Sequence, residues 1–589
     1  SGPAETAPAI PVTSAANAVP AAPIIPVSAR SQETASYQQI LFNWTRVCEH
    51  PAASETELTT LVQQLSQQVP LHDHGVSAAF FCANIESVVD FYDRSIAAAR
   101  AGAGAGAGAR AGGSTSGIGY QVADALAKLV VYLIKLGPKD SDGKADIDIL
   151  RMFLSSIVLV IVQMHTTQPD VFSAHQRPLF RIMASLLHEL NVCRRAGEPW
   201  CGSDRTREMA QAIGDSLALL NPSFVPGFSF SWLMLVSHRH FFPLLMQEKG
   251  LWPLASQLLA ELIGFLQPFI VANQVVDSLK LLYRGMVCVI LVVLHDYPEF
   301  LAEYALSLCN GIPTNCVQLR NLLLSAYPRE MRLPEPLAPN LKIDLLPDVS
   351  RSPPIPFEYV SDLEKAELKD ELVSYLKGEA PATAIKTMAS RLFAKTSATE
   401  QQAVPSESCY SVKLINAFVL HAVVTITAME DSAARETSQR MALDMIRQML
   451  GEADAEASYL LVNAVANQLR FPSSHTYLCS RIVLALFSKS DERVREHIAR
   501  ALVERILVNR PFPWGLLVTL IELLRNPYYS FWDRPFTKRS PQITEILQAV
   551  AKSIHPIGTP TQHQAHGAEA ANAANSAAQV AISQPPSHA

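Results

Sequence analysis

Aromatic side chains and net charge are both scarce in this sequence. Only 7% of the 589 residues are aromatic, whereas aliphatic residues and alanine raise the hydrophobic share to 49%. This composition disfavours a β-sandwich, which needs valine, threonine and aromatic residues in alternation, and it favours helices. The formal charge of −6 also lacks the excess of basic residues that a dedicated DNA- or RNA-binding domain shows.

Paired cysteines are absent as well. The nine cysteines are scattered and odd in number, which predicts reduced thiols in an intracellular protein. Cys309 and Cys316 are separated by a distance that suits neither a zinc knuckle nor a redox pair, so we expect them to be buried structural residues.

Catalytic and ligand-binding motifs are missing too. The histidine pairs His72/His74 and His238/His240 have no third ligand at a typical distance, and on a helix the second pair would point to opposite sides. The sequence has no G-x-S-x-G elbow, and its glycine–alanine repeat at 101–117 lacks the phosphate-loop signature. We therefore expect no catalytic residue, no metal and no cofactor.

The longest hydrophobic runs in the sequence are shorter than a membrane-spanning helix. The most apolar stretches, 155–164 and 285–294, reach about half of the ~20 residues that a spanning helix needs. They predict buried central helices instead. The chain begins with Ser1 rather than methionine, from which we expect a processed or excised piece.

Apolar residues recur at three- and four-residue steps along most of the chain, which predicts successive helices joined by short loops. Ser54 and Glu57 have the spacing of a capping box at the start of one of them. The predicted helices include 54–70, 176–195, 229–247, 315–326, 360–377, 431–450, 454–469, 474–488, 492–508 and 513–525. No 33- or 34-residue consensus repeat is present, and irregular helix pairs are typical of HEAT-like solenoids. The predicted fold is an all-α, HEAT-like helical-repeat solenoid of stacked antiparallel helix pairs with disordered termini. The predicted segments are a disordered linker at 1–32, an amino-terminal array at 33–349 with a flexible Gly/Ala loop at 101–117, a carboxy-terminal array at 350–553 and a disordered tail at 554–589.

The segment 310–347 combines a short helix with a proline-rich stretch. Thr314 or Asn315 is the expected helix cap, and Pro328 is expected to end the helix. The expected buried stripe of this helix is Leu319, Leu322, Leu323 and Ala326. The following residues, 328–347, are called the proline belt here. Its expected anchors to neighbouring helices are Leu333, Leu337, Leu341, Ile343 and Leu345.

Three interpretations of this segment stay open: a rigid linker between helices, part of a partner surface, and the wall of a pocket. The partner-binding hypothesis names five residues, which are Tyr327, Arg329, Met331, Arg332 and Leu333. Prolines stiffen the belt, so that it loses little entropy when it is held in an extended form.

Three stretches carry a resemblance to a known family. They are "SWLMLVSHRHFFPLLMQEKGLWP" at 231–253, the region 282–349, and "NPYYSFWDRPFTKRSPQITEIL" at 526–547. They resemble the carboxy-terminal homology domain of the large scaffold subunit of the Ccr-four–Not deadenylase complex. The resemblance spans roughly residues 33 to 553, and the glycine–alanine repeat departs from it.

The resemblance implies a non-catalytic docking platform in messenger-RNA deadenylation and decay. The implied partners are the Not-two and Not-three/five subunits, with short-linear-motif regulators as further partners. It also implies cytoplasmic and nuclear localisation, no membrane partner and no strong direct nucleic-acid binding. The alternative is a helical-solenoid transport or nucleic-acid-binding adaptor, which needs a concave face of one charge sign.

Overall fold

The computed structural model describes residues 27–50, 54–103, 119–137, 147–274, 276–338, 341–395 and 408–554. Residues 1–26 of the predicted linker, 104–117 of the predicted Gly/Ala loop and 555–589 of the predicted tail lie outside the described residues. The chain divides into two compact units between Leu254 and Ala255. The predicted grouping of helices into arrays at 33–349 and 350–553 stays a prediction.

The first unit consists of helices in two alternating layers. Its helices are α1 (Val27–Glu49), α2 (Glu55–Gln68), α3 (His74–Ala103), α4 (Gln121–Leu136), α5 (Asp148–Thr167), α6 (Pro169–Arg195), α7 (Ser203–Leu219), α8 (Ser229–Val236) and α9 (Phe242–Gln247). Helices α1, α3, α5 and α7 pack in succession, and so do α2, α4, α6 and α8. This contact of every second helix is the stacking of a HEAT-like array.

The second unit repeats this stacking. Helix α10 (Trp252–Val271) crosses the division, and it is followed by α11 (Asp277–Asp296), α12 (Pro298–Cys309), α13 (Val317–Leu324), α14 (Val360–Lys365), α15 (Lys369–Leu376), α16 (Ala384–Leu392), α17 (Val412–Thr427), α18 (Ser432–Glu452), α19 (Ala455–Asn467), α20 (Ser474–Lys489), α21 (Glu492–Ile506), α22 (Trp514–Arg525) and α23 (Pro541–Ile554). Helices α17, α19, α21 and α23 pack in succession, and α18, α20 and α22 form the other layer. The predicted all-α fold is confirmed.

Short connections complete the two units. They include 3₁₀ helices at Pro199–Cys201, Pro226–Phe228, Lys249–Leu251, Ile343–Leu345, Pro347–Ser350, Pro527–Tyr529, Phe531–Asp533 and Pro535–Lys538. Among the described residues, extended pairing is limited to one isolated bridge between Lys395 and Tyr410.

Polar residues at the helix starts explain several boundaries. Ser54 accepts a hydrogen bond from the backbone of Glu57, whose side chain accepts one from Ser54 N, so the predicted capping box is confirmed. Asp454 and Asp491 cap α19 and α21 in the same way through backbone donors of the first turn.

Three buried arginines of the second unit donate hydrogen bonds to main-chain or amide oxygens, and one of them, Arg470, joins elements that are distant in sequence. Arg470 donates to the carbonyls of Ala302 and Leu301 at 3.0 and 3.1 Å, which joins the start of the α20 region to α12. Arg505 donates to Asn467 Oδ1 at 2.6 Å, and Arg320 donates to a carbonyl in the loop after α12. Burial lowers the pKa of Arg470 to about 10 and that of Arg505 to about 9, so both are charged at neutral pH and depend on carbonyl partners.

Three helices are long and apolar enough to cross a membrane by length and composition: Asp148–Thr167, Lys249–Val271 and Asp277–Asp296. The expectation that the hydrophobic runs are too short is therefore wrong, because each run continues into a helix of about twenty residues. In the first of these helices, 44% of the apolar window is buried against neighbouring helices, and in the last only 28%. The small buried fraction of α11 means that much of its apolar surface faces outward.

Candidate partner-binding surface

Helix α11 is apolar on two opposite faces. Its inner face buries Leu282, Met286, Val289, Ile290 and Val293, and the helix packs on α12 and α13. A helix that is apolar all round is normally buried on all sides. Here the outer face stays uncovered, which contradicts the expectation that the run 285–294 is a buried central helix.

The outer face of α11 carries a stripe of exposed apolar side chains. Leu281, Leu291 and Val292 are 60%, 47% and 46% exposed, and the thiol of Cys288 lies between them on the surface. These four residues are called the α11 stripe below. Leu281, Leu291 and Val292 lie seven, three and four residues from Cys288, which places all four on one side of the helix. Exposed Arg284 lies on the same side, so the stripe suits the apolar face of an amphipathic partner segment.

Arg329 fixes the proline belt to the carboxyl end of α11. Its guanidinium Nη2 donates to the carbonyl of Asp296 at 2.6 Å, and its backbone N–H donates to Glu299 Oε1 at 3.2 Å. A cation at this end of a helix satisfies an unpaired carbonyl and offsets the negative end of the helix dipole. The α11 stripe and the first residues of the belt therefore belong to one continuous region.

The other predicted partner-binding residues lie in the same region with different exposure. Tyr327, Met331 and Leu333 are half-buried, whereas Arg332 is exposed and makes no ion pair among the described residues. Their role as contacts stays a prediction. Arg329 already donates to the carbonyl of Asp296. It would therefore serve a partner surface by holding the belt in place, and not by contacting the partner.

The belt is also held in place by residues from the later helices of the second unit. The indole N–H of Trp514 donates to the carbonyl of Pro334 at 2.8 Å, and Leu337 packs against the core of this unit. Leu333, Leu341 and Ile343 are half-buried. The expectation that Leu345 anchors the belt is wrong, because 70% of its side chain is exposed.

The helix before the belt has the predicted buried residues but not the predicted bounds: it ends at Leu324, four residues before the Pro328 that was expected to end it. Leu319, Leu322, Leu323 and Ala326 are all buried. The helix begins at Val317, and Cys316 is the N-cap without a side-chain cap bond. The predicted cap at Thr314 or Asn315 is therefore wrong.

The predicted histidine pair His238/His240 does not lie on a helix. The two residues occupy the turn between α8 and α9, with ring centroids 5.3 Å apart. The predicted single helix over 229–247 is thus two helices. In the part of the chain that the structure describes, no three His, Cys, Asp or Glu side chains are grouped to hold a metal ion.

Cysteines and acid pairs show no sign of a reactive centre. All nine cysteines are free thiols; Cys309 is buried as expected, whereas Cys316 is only partly so. Burial raises the pKa of the Cys309 thiol, which keeps it protonated and unreactive. Glu364 and Glu367 are close enough in sequence to be a pair of catalytic acids. Glu364 forms an ion pair with Lys369 at 2.6 Å, and Glu367 forms one with Arg391 at 3.6 Å, so both carboxylates take part in surface ion pairs.

Comparisons with known proteins point to one family. Residues 201–551 match the family model described as "CCR4-Not complex component, Not1". The chain is 32% identical over 564 residues to the CCR4-NOT transcription complex subunit let-711 of Caenorhabditis elegans, covering 91% of the chain and 20% of that protein. It is 30% identical over 530 residues to the General negative regulator of transcription subunit 1 of Schizosaccharomyces pombe, covering 87% of the chain and 23% of that protein. The chain thus spans about a fifth to a quarter of these relatives.

Solved structures share the fold. The NOT1 superfamily homology domain from Chaetomium thermophilum superposes with a TM-score of 0.76 at 26% identity, covering 89% of this chain and 99% of that one. A Not1 C-terminal domain solved in complex with Not4 superposes with a TM-score of 0.73 at 24% identity, covering 88% and 100%. The helical stacking of both units is therefore similar to that of an experimentally known domain.

Proposed function

Because this chain belongs to the Not1 family of CCR4-Not complex components, we propose that it is a non-catalytic scaffold domain that docks the Not-two and Not-three/five subunits. Its place of action is the CCR4-Not complex in messenger-RNA deadenylation and decay, in the cytoplasm and the nucleus. The domain contributes binding surface, and the chemistry of tail shortening belongs to other subunits.

The observation that supports this proposal best is the α11 stripe. Three aliphatic side chains that are about half exposed or more, on a helix already packed on its inner face, give a patch whose burial by a partner is favourable. Each fully covered leucine or valine contributes roughly 1.5–3 kcal/mol of transfer free energy before the cost of association. A few such anchors supply most of the affinity of a typical protein interface.

The region around the stripe suits an amphipathic or extended segment. The stripe ends beside Arg329, which is held in place by the carboxyl end of α11, and exposed Arg332 follows it. A partner segment that lies along α11 would place apolar side chains on the stripe and an acidic group near Arg332. Tyr327, Met331 and Leu333 would then form the half-buried border of the contact.

The proposal is tested by replacing Leu281 and Leu291 with glutamate in one variant. Both side chains are exposed, so the fold should persist, while two charges in the apolar contact should weaken binding roughly 100-fold or more. The purified chain is mixed with the Not-two and Not-three/five subunits, and complex formation is followed by size-exclusion chromatography and calorimetry.

The matched control is Leu159→Glu on α5, a position that is 56% exposed in the first unit. It should bind like the unmodified chain. Separate elution of the unmodified chain from both subunits at micromolar concentration would refute the docking function. Undiminished binding by the α11 variant would refute the assignment to the stripe. Shortening of poly(A) by the purified chain with magnesium would refute the non-catalytic role.

A further inference from the structure

The triplet Arg-Ser-Pro occurs twice in the second unit, at 351–353 and at 539–541. The first copy lies in the irregular segment before α14, and the second leads from the 3₁₀ helix Pro535–Lys538 into α23. A proline directly after the serine is the feature that proline-directed protein kinases require in a substrate. Because the two triplets are alike in sequence, their surroundings in the fold decide which serine such a kinase can reach.

Ser540 lies at the edge of the fold among exposed residues. The serine itself is half-buried, whereas Lys538, Arg539 and Pro541 around it are exposed. Helix α23 is the last described helix, and its main contacts are with α21 and the 3₁₀ helix Pro535–Lys538. Terminal elements with few neighbours open locally at a lower free energy than central ones. The chain around Ser540 can therefore adopt the extended form that a kinase active site accepts.

The bonds that hold Ser540 all come from the first turn of α23. Its Oγ accepts a hydrogen bond from the backbone N–H of Ile543 at 3.2 Å. Its carbonyl accepts from the N–H and the hydroxyl of Thr544, each at 3.1 Å. Opening of this one turn releases the serine without breaking a contact between central helices.

Ser352 is exposed as well, but it is fastened to the start of a central helix. Its hydroxyl shares a hydrogen bond with that of Ser474, the first residue of α20, at 2.8 Å. The carbonyl of Arg351 accepts from the N–H of Ser474 at 2.9 Å, and the preceding 3₁₀ helix Pro347–Ser350 packs on α20. To place Ser352 in a kinase, this segment would have to detach from α20.

We propose that Ser540 is a phosphorylation site for a proline-directed serine/threonine kinase. The Oγ of Ser540 attacks the γ-phosphorus of ATP, the bond from that phosphorus to the bridging oxygen breaks, and ADP leaves. The hydroxyl proton passes to the catalytic base of the kinase. The kinase and ATP come from outside, and this chain contributes the acceptor hydroxyl and the proline that follows it.

A phosphate on Ser540 adds a negative charge that the start of α23 lacks. Helices α18, α19 and α21 each begin after an aspartate that caps them. Helix α23 has no acid in its first turn. The phosphate carries roughly −1.5 to −2 charges at neutral pH, and the amino end of a helix favours negative charge. Phosphorylation therefore tightens α23 against the fold.

Two exposed cations precede the serine. Lys538 lies 4.0 Å from the carboxylate of Asp533, and Arg539 lies 2.7 Å from that of Glu496, with the two basic side chains 66% and 64% exposed. Exposed ion pairs of this kind contribute little to stability. Either cation can therefore turn from its carboxylate to the phosphate, whose oxygens are stronger partners for charged donors.

The test treats the full chain with a purified mitogen-activated protein kinase and, separately, a purified cyclin-dependent kinase, each with magnesium and ATP. Mass spectrometry counts the phosphate on each serine over time. We expect Ser540 to be phosphorylated at least roughly tenfold faster than Ser352, because less of the fold has to open. Counting by site separates both serines from Thr559, which also precedes a proline.

Matched variants separate the proline from the rest of the site. Pro541→Ala keeps the hydroxyl and should lower the rate at Ser540 at least roughly tenfold, without changing the rate at Ser352. Pro353→Ala should have the opposite pattern. Both variants replace an exposed or half-buried proline outside the core, so both should fold.

The effect on α23 is measured by amide hydrogen exchange. After kinase treatment, exchange in α23 should slow by a factor of roughly two to five, as expected for one charge at a helix end, and exchange in α22 should not change. The variant Ser540→Asn keeps a good cap but has no acceptor hydroxyl. Kinase treatment of this variant should leave exchange in α23 unchanged.

Absence of phosphate from Ser540 with both kinases would overturn the proposal. So would a rate at Ser352 that equals or exceeds the rate at Ser540, or exchange in α23 that is unchanged or faster after phosphorylation. None of these measurements involves the Not-two or Not-three/five subunits, so failure here leaves the docking function untouched.

Discussion

His475 shows how a single buried side chain couples this fold to pH. It lies at the first turn of α20 and is 3% exposed, next to the charged Arg470. Burial, followed by the charge of Arg470, lowers its pKa from 6.5 to about 4. Between pH 6.5 and about pH 4, His475 therefore stays neutral in the folded state but binds a proton in the unfolded chain.

We predict that the free energy of unfolding decreases as the pH falls from about 6.5 to about 4. In this window the unfolded state binds the proton and the folded state does not, so stability is lost with acidification and is fully present above pH 6.5. A shift of this size corresponds to roughly 3 kcal/mol at most. Urea unfolding at pH 7.5, 5.5 and 4.5 measures the effect.

The His475→Gln variant should lose this part of the pH dependence while keeping a polar group of similar length. The control is His72→Gln, since His72 is exposed in the turn before α3, and it should keep the pH dependence of the unmodified chain. A His475→Gln variant with an unchanged pH profile would show that His475 has no part in it.

At the scale of single elements, the sequence was most informative where polar caps and apolar periodicity agree. Helices α18 to α22 begin and end within about two residues of the predicted bounds, because Asp431, Asp454, Ser473 and Asp491 cap four of them. The fold class follows from such regular stretches.

The missed boundaries have local causes. Helix α6 begins at Pro169 rather than at 176, because it continues through Pro178, which the rule against proline inside helices disfavours. The predicted helix over 360–377 is two helices, since Glu367 adopts a positive φ of 54° between them. Nothing in the residue type of a glutamate signals this left-handed conformation.

The candidate site was predictable in part. The belt is recognisable in the sequence by its proline spacing, and all four residues of the expected stripe before it are buried; the belt residues' role in partner binding stays a prediction. The α11 stripe was missed, because an uninterrupted apolar run predicts burial but cannot tell which face has a neighbour.

Asp454 provides a prediction for helix α19. One carboxylate oxygen accepts from the backbone of Ala457 at 2.8 Å, and the other accepts from the hydroxyl of Tyr410 at 2.6 Å. The Tyr410 hydrogen bond lowers the pKa of Asp454 and, as the largest cause, raises that of Tyr410 to about 12.

We predict that Asp454→Ala destabilises the protein by about 2 kcal/mol, since it removes a helix cap and a second hydrogen bond together. The comparable variant Asp431→Ala removes only the cap bonds of α18 and should cost about 1 kcal/mol. Chemical denaturation of both variants measures the difference. Equal losses would show that the Tyr410 contact adds nothing to the cap.

At the scale of the whole molecule, the three long apolar helices raise the question of membrane binding. Helix α5 packs against α3, α6 and α7, and Arg151 lies in its first turn. To enter a bilayer, α5 would have to leave these neighbours and take a charge with it. Helix α5 therefore serves the protein interior in this fold.

We predict that the full chain does not associate with vesicles of phosphatidylcholine and phosphatidylserine. In a sucrose-gradient flotation assay it should stay in the bottom fraction at low and physiological salt, because the inner faces of these helices are packed within the fold and the net charge of −6 is repelled by phosphatidylserine. Flotation that resists high salt would contradict this prediction and would indicate that at least one of the three helices inserts.

The bond between Arg470 and Ala302 joins residues that are 168 positions apart. Asn321 donates to the carbonyl of Arg505 over 184 positions. At a synthesis rate of roughly 5–20 residues per second, α12 leaves the ribosome roughly 10 to 30 seconds before Arg470 is made. During that interval the surface of α12 that Arg470 covers is exposed on the nascent chain, so the second unit closes only after residue 505 has been synthesised, and we expect it to be a client of ribosome-associated chaperones.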